Sequence, residues 1–229
     1  MFLETVDQYD ILKIVNKMKP KTSFGYDDIS TKIIKDSILN ILSPVTHIIN
    51  RSLITGTVPD NLKIARIIPI HKAADPKLLK NYRPISLLPS LSKIYEKVMF
   101  HKIMSYLNSK DILYKHQYGF RPKCSTIHPI LHFLKDCATD NNQLPRKATL
   151  SVLCDLSKAF DVINHEILFN KLEYYGIRGL PKLWIQNYLK NRTQFVDING
   201  TKSSYSNIEC GVPQGSILGP LLYLIYVCQ

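Results

Sequence analysis

The chain is poor in the residues that usually mark a metal or redox centre. Its 229 residues include five cysteines, Cys124, Cys137, Cys154, Cys210 and Cys228, with no Cys-x-x-Cys pair and no zinc-ligand spacing. An odd, scattered set in a chain of this size argues for reduced thiols. The expected setting is therefore intracellular, nucleus or cytoplasm, and not secreted. His128 and His132 are four apart, but Pro129 lies between them and no glutamate accompanies them, which excludes a His-Glu-x-x-His zinc site. The opening MFLETVDQYD has acids where a secretory leader has bases. Without such a leader, the glycosylation patterns Asn191-Arg192-Thr193 and Asn199-Gly200-Thr201 carry little meaning. Long apolar runs are missing too. Ile217 to Cys228 is about half of the ~20 residues that cross a bilayer, so no membrane partner is expected. There is no internal repeat and no low-complexity linker.

What the chain does have is base. Lys plus Arg number 30 against 18 Asp plus Glu, a net charge of +12, with 45% hydrophobic residues, so a folded domain with a polyanionic partner is expected. The excess is localised. Residues 60–97 hold 8 basic and 3 acidic groups, and residues 98–147 again 8 and 3, whereas 1–59 and 148–229 each hold 7 and 6. The positive field thus lies in the middle of the chain. A merely solvated basic surface is the alternative.

Periodicity predicts helices over residues 4–18, from Asp28 or Ser30 through Ile41, from Ser43-Pro44 to Gly56, over 90–108, 125–138 and 165–175, and from Pro181. Ile64 to His71 is strand-like, although Pro69 demotes it to an edge or a bulge. Gln194 to Ile198 alternates as a strand, Asn199-Gly200 is a type I′ hairpin signal, and Ser203 to Cys210 returns. A glycine loop and an apolar helix end the chain.

One stretch invites chemistry. LSVLCDLSKAFD, Leu150 to Asp161, reads as a buried strand, with Val152 and Cys154 on one face, that ends in Asp155. Asp is seldom buried unless it is paired or holds a metal. Asp155 is therefore either a metal or catalytic ligand or the N-cap of the next element.

Three stretches in series carry a resemblance: KIARIIPIHKAADPKLLKNYRPISLLPSLSKIYEKV, LSVLCDLSKAFDVINH and GVPQGSILGPLLYLIY. Together with TSFGYDDIS and QYGFRPKCST they resemble the reverse transcriptase of non-LTR, jockey-like retrotransposons, from about residue 20 to 226. The resemblance implies an α+β right-hand polymerase, with fingers and a partial palm and no thumb. Residues 1–58 would form a helical extension of the fingers and 59–229 the fingers and palm. It implies RNA-directed DNA polymerisation with an RNA template, a DNA primer, deoxynucleoside triphosphates and Mg2+, or Mn2+ in its place. Two divalent ions bridge the attacking hydroxyl and the triphosphate in such chemistry, held by hard oxygen ligands. By resemblance Asp155 and the Leu156 carbonyl are metal ligands, Lys72 and Arg83 grip the triphosphate, and Phe160 is the steric gate against a ribose 2′-hydroxyl. Gln214 and Gly215 lie beside the nucleotide, and Gly119, Phe120 and Arg121 contact the template. Each has a plainer alternative in packing or solvated charge. Asp161 is taken as a cap or structural contact, and Asp27 and Asp28 as loop and N-cap acids despite the Tyr26-Asp27-Asp28 string.

The family pattern also calls for a Tyr-x-Asp-Asp hairpin after GVPQG, which would fall beyond Gln229. The palm sheet is expected to be antiparallel with Leu150–Asp155 central, and without that hairpin to leave an open edge and poor solubility. The rival reading is a non-catalytic nucleic-acid-binding remnant, and a third is a decayed copy. One carboxylate holds two Mg2+ ions poorly. The 229-residue protein on its own is therefore expected not to extend a primer. Template-primed extension that is abolished by Asp155→Asn would overturn this.

Overall fold

The computed structural model describes residues 1–72, 74–122, 124–142 and 149–228. Helix α1 (Gln8–Asn16) starts at Asp7, whose side chain accepts from the Asp10 N–H. Its Ile11, Ile14 and Val15 are buried on one face. Helix α2 spans Thr31–Thr55 as a single 25-residue helix, capped by Ser30 and ended by Gly56 at φ 68°. This corrects the expectation of two helices divided at Ser43-Pro44. The buried stripe Ile34, Ile38, Val45, Ile49 and Leu53 runs through without a break, while Pro44 lies on the exposed face. Burial of the stripe on both sides of Pro44 outweighs the one backbone bond that proline removes.

Helices α3 (Ser92–Ser109), α5 (His165–Tyr174), α6 (Leu180–Leu189) and α7 (Leu218–Val227) share one apolar core with α1 and α2. Its largest member, Trp184, is fully buried, stacks on Tyr188 at 5.5 Å and donates its Nε1–H to Ser52 Oγ at 2.9 Å. Helix α4 (Ile127–Asn142) stands apart, with Ile127, Ile130, Leu131, Phe133 and Leu134 exposed.

The sheet is built around β1 (Ile64–His71). It pairs antiparallel with β2 (Tyr82–Leu87) and parallel with β3 (Arg192–Ile198). Strands β4 (Thr201–Lys202) and β5 (Ser206–Ile208) both pair antiparallel with β3. Asn199 and Gly200 both have positive φ and form the expected tight turn between β3 and β4. Pro69 lies opposite Pro84. The Lys72 N–H to Asn81 carbonyl bond fixes the alternation of the ladder and makes 69–84 a rung at which neither N–H points across the pair. Pairing of β1 with β3 ends at Ile67, so Pro69 falls where β1 is locally an edge.

Two expectations fail here. The sheet is mixed rather than antiparallel. Leu150–Asp155 is not a central strand but irregular and exposed, with Leu150 at 91% and Leu153 at 96% accessibility. A strand needs a neighbour for its N–H and C=O groups, and among the described residues no strand lies beside this one. The apolar pattern gives β character, but it does not supply a partner.

Beneath the loop before α7, Glu96 of α3 has no exposed surface. Its Oε2 accepts from the Ile217 N–H at 2.5 Å and the Leu218 N–H at 3.4 Å, and its Oε1 from Ser92 Oγ at 3.2 Å. Burial raises its carboxyl above the usual range, opposed by those N–H donors and by Arg192. Arg192, 1% exposed, lies over the Tyr188 ring at 4.8 Å and donates Nη1–H to the Tyr188 carbonyl.

Removing the ring at Trp184→Ala is expected to cost about 3–5 kcal/mol, read as a fall in the urea midpoint by circular dichroism. Glu96 has a second, pH-dependent effect. Its raised pKa means that the folded state holds the proton more tightly than the unfolded chain. Wild-type stability relative to Glu96→Gln should therefore be greatest below the ordinary glutamate value of 4.5 and fall as pH rises through the folded value. Parallel denaturation series from pH 4 to about pH 8 test the sign. A wild type that gains on the Gln variant with rising pH would contradict it.

Candidate nucleotide site

The Gly211–Gly215 loop is where separated parts of the chain meet. The Gly211 N–H donates to the Ile163 carbonyl at 2.9 Å and the Val212 N–H to the Phe160 carbonyl at 2.8 Å. A Cβ at Gly211 would lie 2.7 Å from the Asp161 carbonyl oxygen, so only glycine fits against this turn. Gln214 donates Nε2–H to Asp161 Oδ1 at 2.9 Å, and its carbonyl accepts the Ser86 N–H at 2.8 Å. Gly215 has φ 107°, and a Cβ there would come within 3.1 Å of the Ser86 carbonyl. The loop therefore joins the outer edge of β2 to the Lys158–Asp161 turn. A cavity of about 350 Å³ opens beside it, lined by Pro84, Ser86, Asp161, Gln194 and Gln214 among others.

Phe160 is half-buried and belongs to an aromatic trio. Its ring lies 5.7 Å from Phe120 and 5.4 Å from Tyr223, and Phe120 lies 6.0 Å from Tyr223. The structure thus brings together two residues that the sequence assigned to different tasks, through a tyrosine of α7 that it did not single out. Phe120 itself has φ 59° and is 52% exposed. Gly119 accepts from Gln117 Nε2 at 3.1 Å and Arg121 donates to the Tyr114 carbonyl at 3.3 Å, so this turn folds back on itself.

Arg83 and Lys72 are both exposed on the β1–β2 hairpin. Arg83 faces Ile70 across the pair, and alternation puts Lys72, two residues after Ile70, on the same side of the ribbon. Arg83 is also three residues from Ser86, where the Gln214 loop docks. Asp155 and Leu156 are exposed, and no ion pair among the described residues involves Asp155. Among the described residues no hydrogen bond links Asp155 to Gln214, Lys72 or Arg83. Among the described residues no three His, Cys, Asp or Glu side chains form a metal-holding group. A carboxylate and a backbone carbonyl are the hard oxygens that Mg2+ takes, so Asp155 and Leu156 suit the ion in kind and supply part of its shell. Asp161 is engaged with Gln214. Asp27 accepts from the Ile29 N–H, and the N-cap of α2 is Ser30 rather than Asp28.

Sequence reasoning passed over Glu96. The signal was available, because an acid at position 96 interrupts the buried face formed by Ser92, Tyr95 and Met99 of one helix.

Known proteins share this sequence pattern over most of its length. Residues 70–229 match the family model for reverse transcriptase (RNA-dependent DNA polymerase). A probable RNA-directed DNA polymerase from transposon BS of Drosophila melanogaster is 30% identical over 96% of this chain and 24% of its own length. The RNA-directed DNA polymerase from mobile element jockey of the same species is 32% identical over 98% of this chain and 24% of its own. A putative COX1/OXI3 intron 2 protein of Saccharomyces cerevisiae is 28% identical over 95% of this chain and 22% of its own. The chain spans about a quarter of the length of these curated relatives. No described helix is long and apolar enough to cross a membrane. The chain belongs to the reverse transcriptase family.

Proposed function

We propose that this chain supplies the nucleotide-binding part of an RNA-directed DNA polymerase. Residues 1–58 form a helical extension of the fingers, and residues 59–229 form fingers and part of a palm. Its partners are an RNA template, a DNA primer and deoxynucleoside triphosphates. The observation that carries this reading is the docking of the Gln214–Gly215 loop onto both the edge of β2, beside Arg83, and the turn after Phe160.

Each residue then has a task that its chemistry suits. Arg83 grips the triphosphate through its planar fork, and Lys72 adds a point charge from the same side of the ribbon. Phe160, braced by Phe120 and Tyr223, closes the space where a ribose 2′-hydroxyl would go. Gln214, fixed by Asp161, and Gly215, with no Cβ, let the backbone approach the nucleotide. Gly119, Phe120 and Arg121 meet the template by stacking and charge. Asp155 and the Leu156 carbonyl would hold Mg2+ or Mn2+. The ion would offset charge on the triphosphate.

The test is binding, with poly(rA)·oligo(dT) as primer–template and dTTP as nucleotide. Primer–template affinity should fall steeply with salt. Arg83→Ala should weaken dTTP binding about tenfold, the loss of one charge-assisted contact, with primer–template binding little changed. Asp155→Asn should abolish the dependence of dTTP binding on Mn2+. Primer–template binding with dTTP affinity indifferent to both substitutions would favour a non-catalytic nucleic-acid-binding remnant and sink the nucleotide-site reading.

A further inference from the structure

Among the described residues, Glu96 is a fully buried carboxylate for which that reading has no use. Burying a carboxylate is expensive unless every oxygen is engaged. Both oxygens of Glu96 are: Oε2 by the Ile217 and Leu218 N–H groups, Oε1 by the Ser92 hydroxyl. Tyr188 of α6 and Arg192 at the start of β3 face it, and Ser216 lies against Tyr188. Arg192 Nε and Nη2 have no hydrogen-bond partner among the described residues, and the Arg192 charge faces the acid as its counterweight.

The two amides that Glu96 holds directly follow Gln214, Gly215 and Ser216. Ser216 turns the chain back by donating its Oγ–H to the Pro213 carbonyl at 2.8 Å and accepting the Gly219 N–H at 2.9 Å. There is no slack in that turn, since a Cβ at Gly219 would stand 2.7 Å from Ser216 Oγ. The loop is therefore held at three places: the 160–163 turn, the β2 edge, and Glu96. The third is a fully buried side chain on α3. Helix α3 follows β2 within a few residues, so Glu96 also ties the loop to the element that carries Arg83.

We infer that Glu96 is a positioning residue that fixes Gln214 and Gly215 against the edge of β2 by holding the Ile217 and Leu218 amides. It touches no substrate and acts through the loop. Its role at the nucleotide rests on the reading of the preceding subsection, whereas its hold on the loop does not.

The experiment has two arms on the full 229-residue protein. In the first, amide hydrogen exchange is followed at Ser86, Ile217 and Leu218, with Ile14 and Val15 of α1 as controls. Glu96→Ala should raise exchange at all three loop-linked amides at least tenfold and leave α1 unchanged. Glu96→Gln retains one acceptor oxygen and should stay within about threefold of wild type. Glu96→Leu fills the volume without an acceptor and should behave as Ala does, so a failure of Ala to fold does not end the test. Unchanged exchange at Ser86 in Ala and Leu overturns the inference, as does a general rise that includes α1, which would mean plain destabilisation. In the second arm dTTP affinity is measured with Mn2+. Glu96→Leu should weaken it at least tenfold and Glu96→Gln restore it. Faster loop exchange with unaltered dTTP affinity would refute the role at the nucleotide. If the wild-type protein binds no dTTP, the polymerase reading of the site fails, and the exchange arm alone decides whether Glu96 holds the loop.

Discussion

A carboxylate with no access to water has to be answered by its surroundings, and Glu96 is answered from α7. Two amides at the start of that helix would otherwise point at an apolar core with nothing to accept them. The arrangement satisfies helix and acid together. Around it the core of α1, α2, α3, α5, α6 and α7 closes as one body, and Arg192, at the first residue of β3, brings the sheet against the same point. The loop that reaches Ser86 and Asp161 leaves from here, so its placement depends on a buried acid of another helix.

The site built on this frame is made from short pieces. A hairpin offers two cations on one side, a glycine loop lies along the hairpin's edge, and an aromatic turn closes against α7. None of these is a pocket by itself. Part of the basic excess of the middle of the chain falls on the hairpin that carries Lys72 and Arg83.

Most of the helices were legible in the sequence because each has an apolar stripe and a clear stop. Gly56 and Gly176 end helices, and Asn199-Gly200 turns the hairpin, as their conformational freedom dictates. Pro44 misled because proline marks a helix start only when nothing on the other side continues the stripe. Leu150–Asp155 misled for a different reason. A strand is a property of two segments, and alternation in one of them says nothing about whether the other is present. The contacts of Gln214 were out of reach for the same reason, since the edge of β2 and the Asp161 turn lie far from it in sequence. Local pattern identifies the residues of the site, whereas their meeting is set by topology. Gly215 was the exception, because its close approach follows from the motif alone.

The rung at Pro69 and Pro84 has a consequence for what the outer side of β2 can do. The alternation that sets this rung turns the backbone of Tyr82, Pro84 and Ser86 outward. Proline has no N–H to offer at the second of these, and the third is already given to the Gln214 carbonyl. On the opposite side of β1, Pro69 lacks the donor that a longer β3 would need. An incoming strand from another molecule would find one donor where it needs three. The exposed, cation-bearing ribbon is thereby protected against invasion by foreign strands.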